Sequence, residues 1–105
     1  MTWDELRDHC LSMPGAQETF PFEPRVSVFK AANGKIFAIG VADADPLHVS
    51  VKCDPDLGEA LRRDYEAIVK GYHLNKRHWI TVTLDADVPD APVRELVQDS
   101  YDLVR

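Results

Sequence analysis

The chain is poor in cysteine. Of 105 residues only Cys10 and Cys53 carry thiols, too few for a disulfide framework and in no spacing that marks a zinc site. It also lacks long apolar runs. The longest stretches are a few residues, against the roughly 20 that a membrane-spanning helix needs, so no membrane association is expected. The opening Met1-Thr2-Trp3-Asp4-Glu5 has neither the basic start nor the apolar segment of a signal peptide. Together with two unpaired thiols, this points to a reducing, cytoplasmic setting. There is no repeat, no low-complexity tract and no Gly- or Ser-rich linker, so residues 1–105 are expected to form one domain.

The usual signs of catalysis are missing as well. No serine or cysteine sits in a nucleophile-elbow context, and the four histidines are His9, His48, His73 and His78. His73 and His78 are five residues apart, one more than would place two zinc ligands on one helical face. Asp4, Glu5 and Asp8 form a short acidic ridge on the first helix that reads as solvated surface. The expectation is a non-enzyme with no catalytic residues, no metal and no cofactor.

What is present is a 45% hydrophobic, 29% charged composition, that of a globular domain able to bury its own core. The periodicities predict its elements in turn. Trp3, Leu6, Cys10 and Met13 give one apolar helical face over Thr2–Met13, with a Thr2/Glu5 capping box and a Pro14-Gly15 stop. Cys10 on that face reads as a packed thiol. Ala16–Pro24 reads as a connector containing Phe20-Pro-Phe22. Strands follow over Arg25–Lys30 and Lys35–Val41, joined at Asn33-Gly34, which signals a two-residue hairpin. Leu47–Lys52 alternates, Val49 and Val51 inward and His48, Ser50 and Lys52 outward. Asp54-Pro55 caps a second helix. His78–Leu84 is a strand with Ile80, Val82 and Leu84 on one side and Trp79, Thr81 and Thr83 on the other. A last helix opens at Pro89–Pro92, its buried face Val93, Leu96, Val97, Ser100 and Val104. The order α-β-β-β-α-β-α predicts an α+β two-layer sandwich, an antiparallel sheet with helices on one face.

The net charge of −6 is unevenly spread: residues 1–23 and 85–105 each carry −4, and residues 24–84 carry +2. Within the middle, Lys70-Gly-Tyr-His-Leu-Asn-Lys-Arg-His78 holds three bases and no acid. Screening limits distant charges to about 8–10 Å, so such a stretch attracts phosphate even on an acidic protein.

Several phrases together resemble the MmcQ/YjbR family. They are Met13-Pro-Gly-Ala-Gln-Glu-Thr-Phe-Pro-Phe22, Val28-Phe-Lys30 with Gly34-Lys-Ile-Phe37, Val51-Lys-Cys-Asp-Pro55, Gly71-Tyr-His-Leu-Asn-Lys-Arg-His-Trp79, and the ending with Ser100-Tyr101. The resemblance covers essentially the whole chain. It implies a CyaY-like fold and DNA binding through a double wing of β-hairpins.

On that reading Lys70, Lys76 and Arg77 neutralise phosphates, Asn75 reaches a base edge or sugar, and Tyr72 or Trp79 stacks on a base. Lys52 and Ser50 extend the patch, and Lys30, Asn33 and Lys35 form a wing for double-stranded DNA. A second reading gives the same region a small anionic ligand. Phe20, Phe22, Tyr72 and Trp79 then line a cleft, with Lys52, His73, Asn75 and His78 as its polar groups. A third is a protein-interaction module presenting an exposed aromatic face.

Overall fold

The first helix, α1 (Trp3–Leu11), starts where the sequence provides a reciprocal cap: Glu5 N–H donates to Thr2 Oγ1 at 3.2 Å, and Thr2 N–H donates to Glu5 Oε1 at 3.0 Å. The computed structural model of the chain describes residues 1–71 and 74–105. After α1 come β1 (Gln17–Thr19), β2 (Val26–Lys30), β3 (Ile36–Val41), β4 (His48–Lys52), α2 (Pro55–Asp64), β5 (Ile68–Lys70), β6 (Trp79–Thr83) and α3 (Asp90–Val104). The strands form one antiparallel sheet in the order β1-β2-β3-β4-β6-β5. α1, α2 and α3 lie on one face, giving the α+β sandwich that the periodicities predict. Among the described residues, no helix is long and apolar enough to cross a membrane.

Two short strands are additions to the predicted order. β1 and β5 are three residues each, at opposite edges of the sheet. Three residues cannot display a two-residue period, and such strands exist through pairing with a neighbour. The β2–β3 connection also differs from the two-residue hairpin expected. Gly34 N–H donates to Ala31 O at 2.9 Å and Ala31 N–H to Lys35 O at 2.9 Å, so Ala32, Asn33 and Gly34 form a three-residue loop. Gly34 closes it at φ +84°, a left-handed conformation suited to glycine.

The core lies between sheet and helices. Phe29, Val49, Val51, Ile68, Ile80 and Val82 face it from the strands, and Leu6, Cys10, Val93, Val97 and Tyr101 from the helices. A register shift beside Phe29 and Lys30 pairs Phe29 with Ala38 but Lys30 with Ile36. Phe37 is the extra residue of this bulge. Both Phe37 and Ala38 are buried in the core, where strict alternation would have sent one outward. Trp3 covers Gly40, where a Cβ would lie 2.7 Å from its ring.

The opposite face carries Val26, Val28, Ile39, Val41, His48, Ser50, Thr81 and Trp79, as the registers require. It is not bare. Val28, Ser50 and Thr81 are buried there, and Phe22, Glu23 and Leu74 contribute from the loops before β2 and before β6 to a groove over it.

Candidate functional site

Antiparallel pairing decides which charges share an end of the sheet. Lys30 ends β2, Lys52 ends β4 and Lys70 ends β5, while β6 begins at Trp79 beside Lys52. Lys35 lies in the β2–β3 turn, and Lys76 and Arg77 lie in the turn that leads into β6. Six bases from three separated segments therefore collect at one end. They span β2 to β5, four strand spacings or roughly 19 Å. The other end holds the loops with Glu23, Asp43, Asp45, Glu66, Asp85 and Asp87 against Arg25 and the Met1 ammonium, which pairs with Asp85.

The pairing of these charges differs between the two ends. Arg25 donates to both Asp43 oxygens at 3.0 and 2.9 Å, which holds the Asp43 carboxyl below its ordinary range. Arg7, Arg63, Arg94 and Arg105 also have carboxylate partners. Among the described residues, no ion pair engages Lys30, Lys35, Lys52, Lys70, Lys76 or Arg77. Asp54, the acid nearest in sequence to Lys52, uses its carboxylate to cap α2 through Asp56 N–H at 3.0 Å.

The turn before β6 is organised by Asn75. Its Oδ1 accepts from Arg77 N–H at 3.0 Å, and its backbone oxygen accepts from His78 and Trp79 N–H at 3.2 and 3.0 Å. This leaves only the Asn75 amide NH₂ for an external acceptor, while Lys76 and Arg77 stand exposed at the tip. Asn33 is also committed to the fold. Its Nδ2 donates to Val104 O at 2.7 Å and its Oδ1 accepts from Lys35 N–H at 3.0 Å. The hairpin tip is thus tied to the end of α3, with Lys35 left outside. Tyr72 and His73 lie outside the described residues.

Trp79 is half-buried on the outer face, beside Lys52 and against Gly71, whose N–H donates to Trp79 O at 2.9 Å. A Cβ on Gly71 would come within 2.6 Å of Trp79 Cβ, so the close approach requires glycine there.

The loop before β2 and the loop before β6 border one groove. Phe22 and Leu74 line the same groove of about 540 Å³, with Glu23, Val26, Ile39, Val41, His48, Ser50 and Thr81. Its lining differs from the cleft expected. Lys52, Asn75, His78, Phe20 and Trp79 are not among its lining residues; Lys52 instead borders a separate cavity of about 310 Å³ between α2 and α3 with Cys53, Leu57 and Asp99.

With this geometry in place, comparison with known proteins is decisive. The YjbR family model matches residues 11–103. The chain belongs to the YjbR family. The uncharacterised protein YjbR of Escherichia coli K12 is 34% identical over 101 residues, covering 96% of this chain and 85% of that one. A crystal structure from Deinococcus radiodurans superposes with a TM-score of 0.91 at 44% identity, covering 97% of this chain and 77% of that one. Another, from Pseudomonas syringae, gives 0.86 at 27% identity and covers all of both chains.

The cysteines of this YjbR-family domain are packed, not presented. Burial pushes the Cys10 thiol up to about 12, and burial with Asp54 and Asp99 raises Cys53. At pH 8 both are thiols; Cys10 is enclosed in the core, and Cys53 is buried at the wall of the cavity between α2 and α3. Cys10 should not react with Ellman's reagent in the native protein and should react at the rate of unfolding, while Cys53, which borders that cavity, should react slowly and sooner than Cys10. Rapid labelling of one thiol in the native state would mean that its cover opens locally.

Proposed function

We propose that this chain is a small non-catalytic nucleic-acid-binding domain that contacts the phosphate backbone with the basic end of its sheet. One observation carries the reading: six bases without ion-pair partners among the described residues are gathered along roughly 19 Å, a little over half a helical turn of duplex. The acidic far end supports it too, because a polyanion would be repelled there, whereas at the Lys30–Arg77 side the bases outnumber Asp54, Asp99 and Asp102, which border the same cavity as Lys52. Trp79 and the Asn75 amide lie within the same patch and supply stacking and hydrogen bonding.

Fluorescence anisotropy of a labelled random-sequence duplex at about 50 and 200 mM salt tests it, since phosphate contacts weaken steeply over that range. The double variant Lys76→Ala/Arg77→Ala should weaken binding to every sequence and lower the salt slope by about 2, near 0.9 per lost contact. Lys30→Ala/Lys35→Ala should act in the same direction, and Arg25→Ala at the acidic end should leave affinity unchanged. Absence of binding at low salt, or equal loss in Arg25→Ala, removes the basic end from consideration.

A further inference from the structure

The groove on the outer face of the sheet has its own chemistry, and it is opposite in sign to the basic end. Its floor is built from directly opposed residues: Val26 beside Val41, Ile39 beside Ser50, and Ser50 beside Thr81. Phe22 and Glu23 wall it from the loop before β2, and Leu74 from the loop before β6. These loops start at opposite ends and opposite edges of the sheet, so the groove crosses the face diagonally. About 540 Å³ is the size of a small-molecule site.

Its polar atoms are mostly acceptors. The Glu23 carboxylate can only accept. His48 Nδ1 lies 3.1 Å from Pro46 O, and a carbonyl only accepts, so Nδ1 carries the proton and Nε2 of the neutral ring is an acceptor. Ser50 and Thr81 share one hydrogen bond at 2.8 Å, which leaves a single hydroxyl proton to offer outward. Among the described residues, no lysine or arginine lines the groove. Arg25, the base nearest in sequence to Glu23, is held by Asp43 through two hydrogen bonds, and Asp45 stands in the same β3–β4 loop. The remaining lining is apolar, and Phe22 is 64% exposed, with a ring free to stack on a flat partner.

We infer that this groove is a binding site for a small aromatic amine, its ring against Phe22, Ile39 and Leu74 and its ammonium toward Glu23 and His48 Nε2. The site is independent of the nucleic-acid reading, since none of the six basic residues at the other end lines it.

Tryptamine and indole-3-acetate, which carry one ring with opposite charges, separate the sign of the site from simple ring burial. Methyl NMR of the whole chain should show saturable shifts at Val26, Ile39, Val41 and Leu74 with tryptamine, at least tenfold tighter than with indole-3-acetate. Glu23→Gln should weaken tryptamine about three- to tenfold, the effect of losing one charge-assisted hydrogen bond near solvent. Phe22→Ala, an exposed position whose loss does not threaten the fold, should weaken both probes. Equal or tighter binding of indole-3-acetate, an unchanged Glu23→Gln, or methyl shifts absent from the groove would each overturn the assignment.

Discussion

Phe37→Ala is expected to cost about 3–5 kcal/mol, the range for deleting a buried aromatic ring. The native domain is worth only about 5–15 kcal/mol in total, so such a loss leaves a marginal protein. Phe37 is completely buried and meets Tyr101 of α3 edge-on, with centroids 5.3 Å apart and planes at 82°. It also lies 6.5 Å from Phe29, which in turn lies 6.3 Å from Trp3 of α1. The four rings form a continuous series from the first helix through two strands to the last. Truncating Phe37 removes both ring neighbours at once and leaves a void between sheet and α3 that the bulged backbone is poorly placed to fill. The check is a urea transition with an unchanged slope and a lowered midpoint. Phe37→Leu, which keeps most of the volume, should lose less than half as much. A cost below about 1.5 kcal/mol for the alanine variant, under the usual range, would mean that the site collapses onto the missing ring.

Phe37 also shows where sequence reasoning stops. Lys35–Val41 reads as one apolar strand, and a single-residue register shift leaves no mark in such a run. The capping box of α1 was legible because both partners lie within four residues, and the alternation of β4 and β6 because it is local. The edge strands β1 and β5 were not, because only their neighbours give them a strand's geometry. The same distinction holds for the sites. The acid-free Lys70–His78 run is visible in the chain, but its company with Lys30, Lys35 and Lys52 depends on antiparallel pairing. Ser50 and Thr81 were each legible as outward residues. That they face one another depends on β4 pairing with β6 across an intervening helix and strand. Glu23 and His48, which give the groove its acceptor character, carry no local pattern that marks them.

Ser100→Ala removes one oxygen atom and is nevertheless expected to cost about 2–4 kcal/mol, because each buried backbone group left without its partner costs about 1–3 kcal/mol. Ser100 is fully buried in α3; its hydroxyl donates to Phe37 O at 2.6 Å and accepts from Lys52 N–H at 2.8 Å. The β3–β4 pairing runs only from Gly40 opposite Val49 to Ala38 opposite Val51. Beyond it the bulge turns the Phe37 carbonyl away, and the Lys52 N–H points where the ladder has ended. The helix hydroxyl closes that break, acting as donor to one strand and acceptor to the other. For a domain near this size each kcal/mol moves Tm by roughly 4–8 °C, so a fall of at least about 8 °C is expected. Hydrogen exchange separates this cause from lost packing. The Lys52 amide should lose protection more than the core amides of Val49 and Val82, because its partner is gone while theirs remain. Unchanged protection at Lys52, with a loss under about 1 kcal/mol, would show a water in place of the hydroxyl and remove Ser100 from this role. Lys52 belongs to the basic end, and the strand end that carries this lysine is held by a helix hydroxyl on the core side of the sheet.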